Sequence, residues 1–469
     1  MRLAVIGTGY LGAVHAACMA ELGHEVLGVD TDPERVDALA AGRTPFYEPG
    51  LPGLLKRGVD AGRLRFTTSL TEAAAFADTH FVCVGTPQRP GSGAADLSHV
   101  EAAVDGLAHA LPFSGYQHVL VVGKSTVPVG TADRLARRLH TAAPDADLAW
   151  NPEFLREGCA IRDTLRPERI VAGVRTAHAE TRLREIYAPL LAAGIPFIGT
   201  DTATAELVKL ASNSFLATKI SFINAMAEIC DATGADVTTL AEAMGADSRI
   251  GPRCLAPGLG FGGSCLPKDI RAFAARAEEL GCGESVVFLR QVDEINTRQR
   301  RHTVDLAEQL VGGSFEDHGV AVLGAAFKPF SDDVRDSPAL AVADAIRRRG
   351  AQVRVHDPEA IDNARAAYPE LQFALDVTKT CERADVVLHL TDWPQYRELD
   401  PAALGAVVRT RAVVDARHSL DPVAWRAAGW TLRAPGRPRL GRHEGARAVR
   451  RSQGIWEPAW SDSGHERTH

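Results

Sequence analysis

No CxxC pair and no metal-ligand spacing links the eight cysteines, which stand at 18, 83, 159, 230, 254, 265, 282 and 381 of 469 residues. That scatter argues against a disulfide framework and against zinc, and it suits reduced thiols in a cytosol. No run of about 18 apolar residues, the length a membrane-spanning helix needs, occurs anywhere, and no basic region precedes an apolar stretch at the start. Lysine and arginine number 52 against 59 acidic residues, a net charge of -7, and before the C-terminal stretch neither sign forms a long run. A nucleic-acid or membrane role therefore has no support in the body of the chain, and small molecules are the expected partners. The expectation is a cytoplasmic protein without a metal.

What is present begins at the second residue. RLAVIG (2–7) reads as a short buried strand running into GTGYLG, in which Gly7, Gly9 and Gly12 have the GxGxxG spacing. The first glycine allows the tight turn, the second lets a pyrophosphate approach the backbone, and the third lets the following helix pack on the strand. The next strand, EVLGVD, ends in Asp30, an acid placed to bind the hydroxyls of an adenosine ribose. Such an acid repels a 2′-phosphate, which favours NAD over NADP; Arg35 is the nearby residue that would suit the phosphate instead.

The length suffices for two or three domains. Residues 1–200 alternate β-rich runs (RLAVIG, EVLGVD, THFVCVG, HVLVVGKS, DLAWNP, RIVAGV) with helical patterns, which predicts a doubly wound parallel sheet. Three strand ends carry polar or glycine-rich segments, VGTP (84–87), GKSTVPVGT (123–131) and NPEFLREG (151–158), and these should meet GTGYLG in one crevice. From about Thr202 to Ala232 the pattern is one helix, about 45 Å long at 1.5 Å per residue, a connector or a dimer seam. Residues 201–312 are expected to form a helical dimerisation domain. Residues 313–436 repeat the α/β pattern without the glycine motif, and VLGAAFKPFSDDVRDSP (322–338) sets Lys328 and Arg335 where a phosphate loop would lie. Residues 437–469 read as a disordered basic tail. The expected fold class is α/β, two Rossmann-like doubly wound sheets joined by a long central helix.

Cys265, in GFGGSCLPKD (260–269), lies among glycines with Lys268 and Asp269 just beyond. Alone, the segment fits a tight turn around a buried thiol better than a reactive one. A thiol attacks only as thiolate, and Lys268 is a candidate to favour it. With a dinucleotide site upstream and a basic anion site downstream, however, a thiol has a chemical use. It adds to an aldehyde, and hydride loss from the adduct leaves a thioester that water must hydrolyse, which needs a base and oxyanion donors. Glu153 and Glu157 are candidate carboxylates; Lys209, Asn213 and Thr126 are candidate donors, Lys209 and Asn213 lying on one helix face.

GTGYLG, PFYEPGLPGLL (45–55), VGTP, KSTVPVGT, NPEFLREG with RPERIV (166–171), ELVKLASNSF (206–215), DSRIGPRCLAPGLGFGGSCLPKD (247–269) and AFKPFSDDVRDSP occur in order. Together, over residues 1 to 436, they resemble the UDP-glucose/GDP-mannose dehydrogenase family, most of all its UDP-glucose 6-dehydrogenase branch. The resemblance implies oxidation of a sugar C6 alcohol to a carboxylate with two NAD. It implies Cys265 as nucleophile, Glu153 as the acid/base residue of thioester hydrolysis, Lys209 and Asn213 at the oxyanion, and Asp269 and Thr126 organising water. The NAD contacts it implies are Gly7, Gly9, Tyr10, Leu11, Gly12, Asp30, Arg35, Thr86, Thr126, Glu157, Lys268 and Arg335. For UDP-glucose they are Glu153, Phe154, Leu155, Glu157, Lys209, Asn213, Phe261, Gly262, Phe327, Lys328 and Arg417. Arg249 would reach the site of a second subunit, hence a homodimer or larger assembly. The chain departs from the family at DARHSL (415–420), where Asp-Gly-Arg is usual, so Arg417 rests on the weaker match; residues 88–95 read as a surface loop. Gly262 and Gly263 are expected to give a sugar clearance to approach the sulfur.

Three other readings compete. A GDP-mannose or UDP-N-acetylmannosamine dehydrogenase shares most of the motifs. A two-electron alcohol dehydrogenase would form one NADH with little need of Cys265. A catalytically silent NAD-responsive binding protein has no reason to keep Cys265, Lys209, Asn213 and Asp269 together.

Overall fold

The structure is a computed structural model that describes residues 1–438, so all but the first two residues of the expected tail lie outside the described residues. The chain divides into two compact units. The first comprises residues 1–215, 263–291 and 330–332; the second comprises 216–262, 292–329 and the chain from 333 onward.

In the first unit, runs of aliphatic residues short enough for strands alternate with helices. The strands are β1 (Arg2–Ile6), β2 (Glu25–Val29), β3 (Leu64–Thr67), β4 (Thr79–Val82), β5 (Leu120–Gly123), β6 (Asp147–Trp150), β7 (Ile170–Gly173) and β8 (Phe197–Thr200). They form one sheet in the order β3-β2-β1-β4-β5-β6-β7-β8. Leu3, Ala4, Val5 and Ile6 of β1 are all buried, as expected of a central strand covered on both faces. The helix that follows, Tyr10–Glu21, has no polar stripe, and every residue from Gly12 to Ala20 is buried. Small side chains let it lie close to the sheet, with Leu51, Leu54 and Leu55 of helix Leu51–Asp60 in the same core. The order of strands reverses between β1 and β4, which makes the carboxyl ends of those two strands the crevice of this sheet.

The second unit has strands β9 (Gly319–Leu323), β10 (Gln352–His356), β11 (Gln372–Phe373), β12 (Val386–His389), β13 (Ala412–Asp415) and β14 (Thr431–Arg433). Their order is β11-β10-β9-β12-β13-β14, parallel throughout, with the reversal between β9 and β12. Helix Thr202–Thr233, 32 residues and about 48 Å long by its rise, runs in sequence from the first unit into the second.

Two expectations change. The first sheet is not wholly parallel: β6 and β7 pair antiparallel through Trp150 and Gly173, while β7 and β8 are parallel to each other. The segment between them, residues 151–169, contains only one short helix, Ala160–Leu165, so no full crossover is made and the strand returns in the opposite direction. Four edge or near-edge strands, β3, β8, β11 and β14, also went unpredicted. Among the described residues no helix is long and apolar enough to cross a membrane.

The junction of β1 with its helix is packed to contact. A Cβ on Gly12 would stand 1.8 Å from the carbonyl oxygen of Gly7. Gly12→Ala should therefore destabilise the first unit by about 1–3 kcal/mol through overpacking, read as a lower urea midpoint; an unchanged midpoint would contradict this packing.

Candidate functional site

At the end of β1 the chain turns at Gly7, whose φ is +86° and where a Cβ would meet Val84 Cγ1 at 2.7 Å. A Cβ on Gly9, by contrast, would meet nothing within 4 Å. The helix beginning at Tyr10 has no side-chain cap, so its first-turn amides stay open to an anion. Asp30, buried at the end of β2, accepts from the Thr8 amide at 2.8 Å and from the Asp32 amide at 3.1 Å, and Arg35 Nη1 donates to it at 3.0 Å. Burial alone would raise its pKa; the two amides and Arg35 reverse that and hold it below the usual carboxylate range. Open space at Gly9, an uncapped helix start and an ionised acid on the next strand fit the diphosphate and ribose of a dinucleotide. Arg35 is engaged by Asp30 itself, which removes the one feature that suited a 2′-phosphate. Tyr10 turns its hydroxyl to Glu48 Oε2 and accepts from the Gly158 amide at 3.1 Å. Burial, then Glu48, pushes that phenol well above its ordinary value.

Cys265 is exposed and immediately precedes helix Leu266–Glu279, with no side-chain cap. A thiolate there faces the positive end of the helix. Ser264 lies beside it, with Oγ 3.5 Å from Sγ, and Ser264 Oγ also donates to Glu157 Oε1 at 2.9 Å. Glu157 is buried and accepts from Ser331 Oγ at 3.1 Å through its other oxygen. One turn into the helix, Asp269 is 1 % exposed. Asn213 Nδ2 donates to its Oδ2 and Lys268 Nζ to its Oδ1, each at 2.6 Å. Lys268, read from the sequence as support for a thiolate, thus has its ammonium on Asp269. Thr86, Thr126, Lys268 and Asp269 line one pocket with Leu210, and Thr86 Oγ1 donates to the Thr126 carbonyl at 2.8 Å. Lys209, one turn before Asn213, is buried with Nζ 5.4 Å from the centre of the Phe154 ring, on which Arg169 also stacks at 4.0 Å. Leu155 donates its amide to Glu153 Oε1.

Several residues that sequence reasoning passed over complete this arrangement. Lys124 is buried, with Nζ 3.0 Å from Asn151 Oδ1 and 3.9 Å from Glu153 Oε2; Tyr187 donates to the same Asn151 oxygen at 2.7 Å. Burial would lower the lysine's pKa, but Tyr187, Glu153 and Cys83 outweigh it and raise it. Glu206, three residues before Lys209, accepts from the Gly130 amide at 2.7 Å and the Ala132 amide at 2.6 Å, clamping the turn after Thr126. Both lie inside motifs, Lys124 in KSTVPVGT and Glu206 in ELVKLASNSF, and that was the available signal.

In the second unit, Arg417 follows β13. Its side chain donates to the carbonyls of Leu390 at 2.6 Å, Phe327 at 3.3 Å and Gly260 at 3.4 Å. Burial lowers its pKa from the usual arginine value. Phe261 exchanges two hydrogen bonds with Asn296, at 2.8 and 2.9 Å. Lys328 Nζ lies 5.1 Å from the Phe327 ring centre, Arg335 forms a two-point pair with Asp333, and Arg249 does so with Asp247 while 87 % exposed. Gly262 needs its small size for a different reason than expected. A Cβ there would meet the Asp336 carbonyl at 2.4 Å and Pro338 Cδ at 2.6 Å, so backbone packing occupies that clearance.

A sheet reversing at a glycine loop, with an acid on the next strand and a second parallel α/β unit, defines a dinucleotide-dependent α/β protein. The chain belongs to the UDP-glucose/GDP-mannose dehydrogenase family. Residues 1–191 match that family's NAD binding domain, 203–298 its central domain and 321–422 its UDP binding domain. A UDP-glucose 6-dehydrogenase of Pseudomonas aeruginosa is 42% identical over 455 residues, 94% of this chain and 98% of that protein. One of Rhizobium meliloti is 41% identical over 444 residues, 93% and 100% of the two. Among solved structures, a UDP-glucose dehydrogenase from Pyrobaculum islandicum superposes with a TM-score of 0.83 at 41% identity, covering 90% of this chain and 98% of that one.

Gly9→Ala adds a methyl to open space, so the melting temperature should stay within a degree or two while NADH affinity, measured by fluorescence titration, falls roughly tenfold. Unchanged affinity would show that the space at Gly9 is not where the cofactor lies. Burial raises the Glu206 pKa to about 7 despite its two amide donors. A carboxyl raised on folding stabilises fully below its unfolded value and less as pH climbs through the folded one. Stability should therefore decline between pH 5 and 8, and Glu206→Gln should flatten that slope in melting curves; an unaltered slope would rule this group out as its source.

Proposed function

We propose that this chain oxidises UDP-glucose at C6 to UDP-glucuronate with two equivalents of NAD, the second oxidation passing through a thioester on Cys265. The observation that carries the reading is an exposed thiol at the start of a helix held by the buried Asp269 and Asn213 with the half-buried Lys268. A simple alcohol oxidation has no use for such a thiol. Relatives named UDP-glucose 6-dehydrogenase, alike over nearly their whole length, support the substrate.

When bound, NAD accepts the hydride of each oxidation. Gly7, Gly9, Gly12 and Asp30 would hold it, with Thr86 and Thr126 extending the same crevice. The C6 hydroxyl loses its proton to solvent and its hydride to give an aldehyde. The Cys265 thiolate adds to that carbon, and Lys209 and Asn213 stabilise the oxygen anion by charge and hydrogen bonding. Loss of a second hydride leaves the thioester. Glu153 then takes a proton from water as the water adds; the carbon–sulfur bond breaks, thiolate returns to Cys265 and the carboxylate leaves. Lys124 Nζ, 3.9 Å from Glu153 Oε2, sets a positive charge beside that carboxylate, and Asp269 positions Asn213 and the helix of the thiol. Phe261, Phe327, Lys328 and Arg417 of the second unit are assigned to the UDP moiety.

We further propose the division into residues 1–200, 201–312 and 313–436, which the three family matches support, and a cytoplasmic home, which eight free cysteines support. A homodimer is supported by Phe215, Phe222 and Ile229, seven apart on the long helix and 65%, 45% and 56% exposed. Arg249, 87 % exposed, would leave its pair with Asp247 to reach a second subunit's site.

Incubation with UDP-glucose, GDP-mannose and UDP-N-acetylmannosamine should give turnover on the first, with two NADH per sugar consumed. Strong turnover of either other sugar without turnover of UDP-glucose would overturn the substrate, and one NADH per sugar would overturn the four-electron course. Cys265→Ser should reduce acid formation by at least about a thousandfold, as loss of a covalent nucleophile does. Phe222→Glu with Ile229→Glu should shift the protein toward monomer in analytical ultracentrifugation; an undisturbed oligomer would place the seam elsewhere.

A further inference from the structure

The first unit carries a second cavity, of about 570 Å³, walled by residues other than those that gather at Cys265. Leu54, Ile161 and Leu165 give it an apolar floor, and three arginines, Arg57, Arg162 and Arg166, stand around it. They come from two separate places in the chain: helix Leu51–Asp60 supplies Arg57, and helix Ala160–Leu165 with the residue after it supplies the others.

None of the three guanidinium groups is well matched within the protein. Arg57 meets Glu21 at 3.5 Å. Arg162 lies 3.8 Å from Asp163, whose better bonds, both at 2.8 Å, go to Arg156. Among the described residues the Arg166 side chain forms no hydrogen bond or ion pair. The acid deepest in the wall, Glu48, is already engaged: it accepts from the Gly158 amide at 2.6 Å, the Ala160 amide at 2.7 Å and the Tyr10 hydroxyl. The cavity therefore presents surplus positive charge in guanidinium form, which bonds phosphate oxygens in pairs. Its volume falls within the range of about 300–1,000 Å³ typical of small-molecule sites.

We propose that this cavity binds a small organic phosphate, with the phosphate held by Arg57, Arg162 and Arg166 and the organic part against Leu54, Ile161 and Leu165. The site is separate from the dinucleotide crevice at Gly9 and does not depend on the reading of the reaction. Glu48 joins its wall to the amide of Gly158, so an occupant lies directly behind the loop that carries Glu157.

The test uses the full chain saturated with NADH and UDP, titrated by calorimetry with ATP, glucose 1-phosphate and inorganic pyrophosphate in turn. The expected result is saturable binding of ATP or glucose 1-phosphate, the preferred one identifying the organic part as nucleoside or sugar. Arg57→Ser with Arg166→Ser should weaken it roughly tenfold or more, with melting temperature and turnover in the absence of the probe unchanged. Arg162→Ser serves as the second variant should the pair shift the melt. No saturation by either organic probe at millimolar concentration, saturation by pyrophosphate alone, or binding indifferent to these substitutions would overturn the proposal.

Discussion

The buried carboxylate of Asp269 is the constraint on which the first unit's site depends. A carboxylate so enclosed is costly unless its oxygens are bonded, and removing one partner of a buried pair typically costs about 3–5 kcal/mol. Here one oxygen takes Asn213 and the other Lys268, both at 2.6 Å. The Asp269 amide also donates to the Cys265 carbonyl at 3.0 Å, the opening hydrogen bond of its helix. The carboxylate thus ties the turn that presents the thiol to the long helix that carries Lys209 and Asn213. Displacing Lys268 would leave the charge unbalanced and displacing Asn213 would leave an oxygen unbonded, which is why the helix start can be exposed at Cys265 and still be fixed.

The same rule governs the other charges. Asp30 is held by amides and Arg35 at the end of β2, Glu157 by two serines, and Lys124 lies between Asn151 and Glu153. In the second unit, Asp415 at the end of β13 accepts from His389 at 3.0 Å and from the amides of Arg417 and Leu420. Burial would raise the Asp415 pKa, yet His389 and the amides bring it down to about 2. That acid fixes the backbone from which Arg417 reaches three carbonyls. Each unit thus uses buried, fully bonded acids at strand ends to hold residues of the opposite charge in place.

Glycine spacing, strand-end acids and the cysteine segment were legible because each depends on local chain geometry. GTGYLG followed a buried strand and preceded a helix, and the structure gives each of its three glycines a different surrounding. The spacing of Lys209 and Asn213 put them on one helix face, but no local pattern brings residue 213 beside residue 269. Other features were hidden for physical reasons. Strands β3 and β14 are half-exposed and four and three residues long, too short for alternation to register. The reversal of β7 is set by tertiary pairing through Trp150 and Gly173, not by any local sequence preference. Lys124 and Glu206 read as ordinary charged residues because their partners, Asn151 and the amides of 130 and 132, are far off in sequence. At Gly262 the missing side chain admits the backbone of Asp336, a contact that local sequence does not show.

The central claim is that Cys265 carries the sugar as an acyl group before hydrolysis. Glu153→Gln, mixed with UDP-glucose and NAD and quenched in acid, should yield a peptide in which Cys265 bears the mass of the UDP-glucuronyl group, in step with released NADH. Two equivalents of NADH per active site with Cys265 unmodified at every quench time would contradict it.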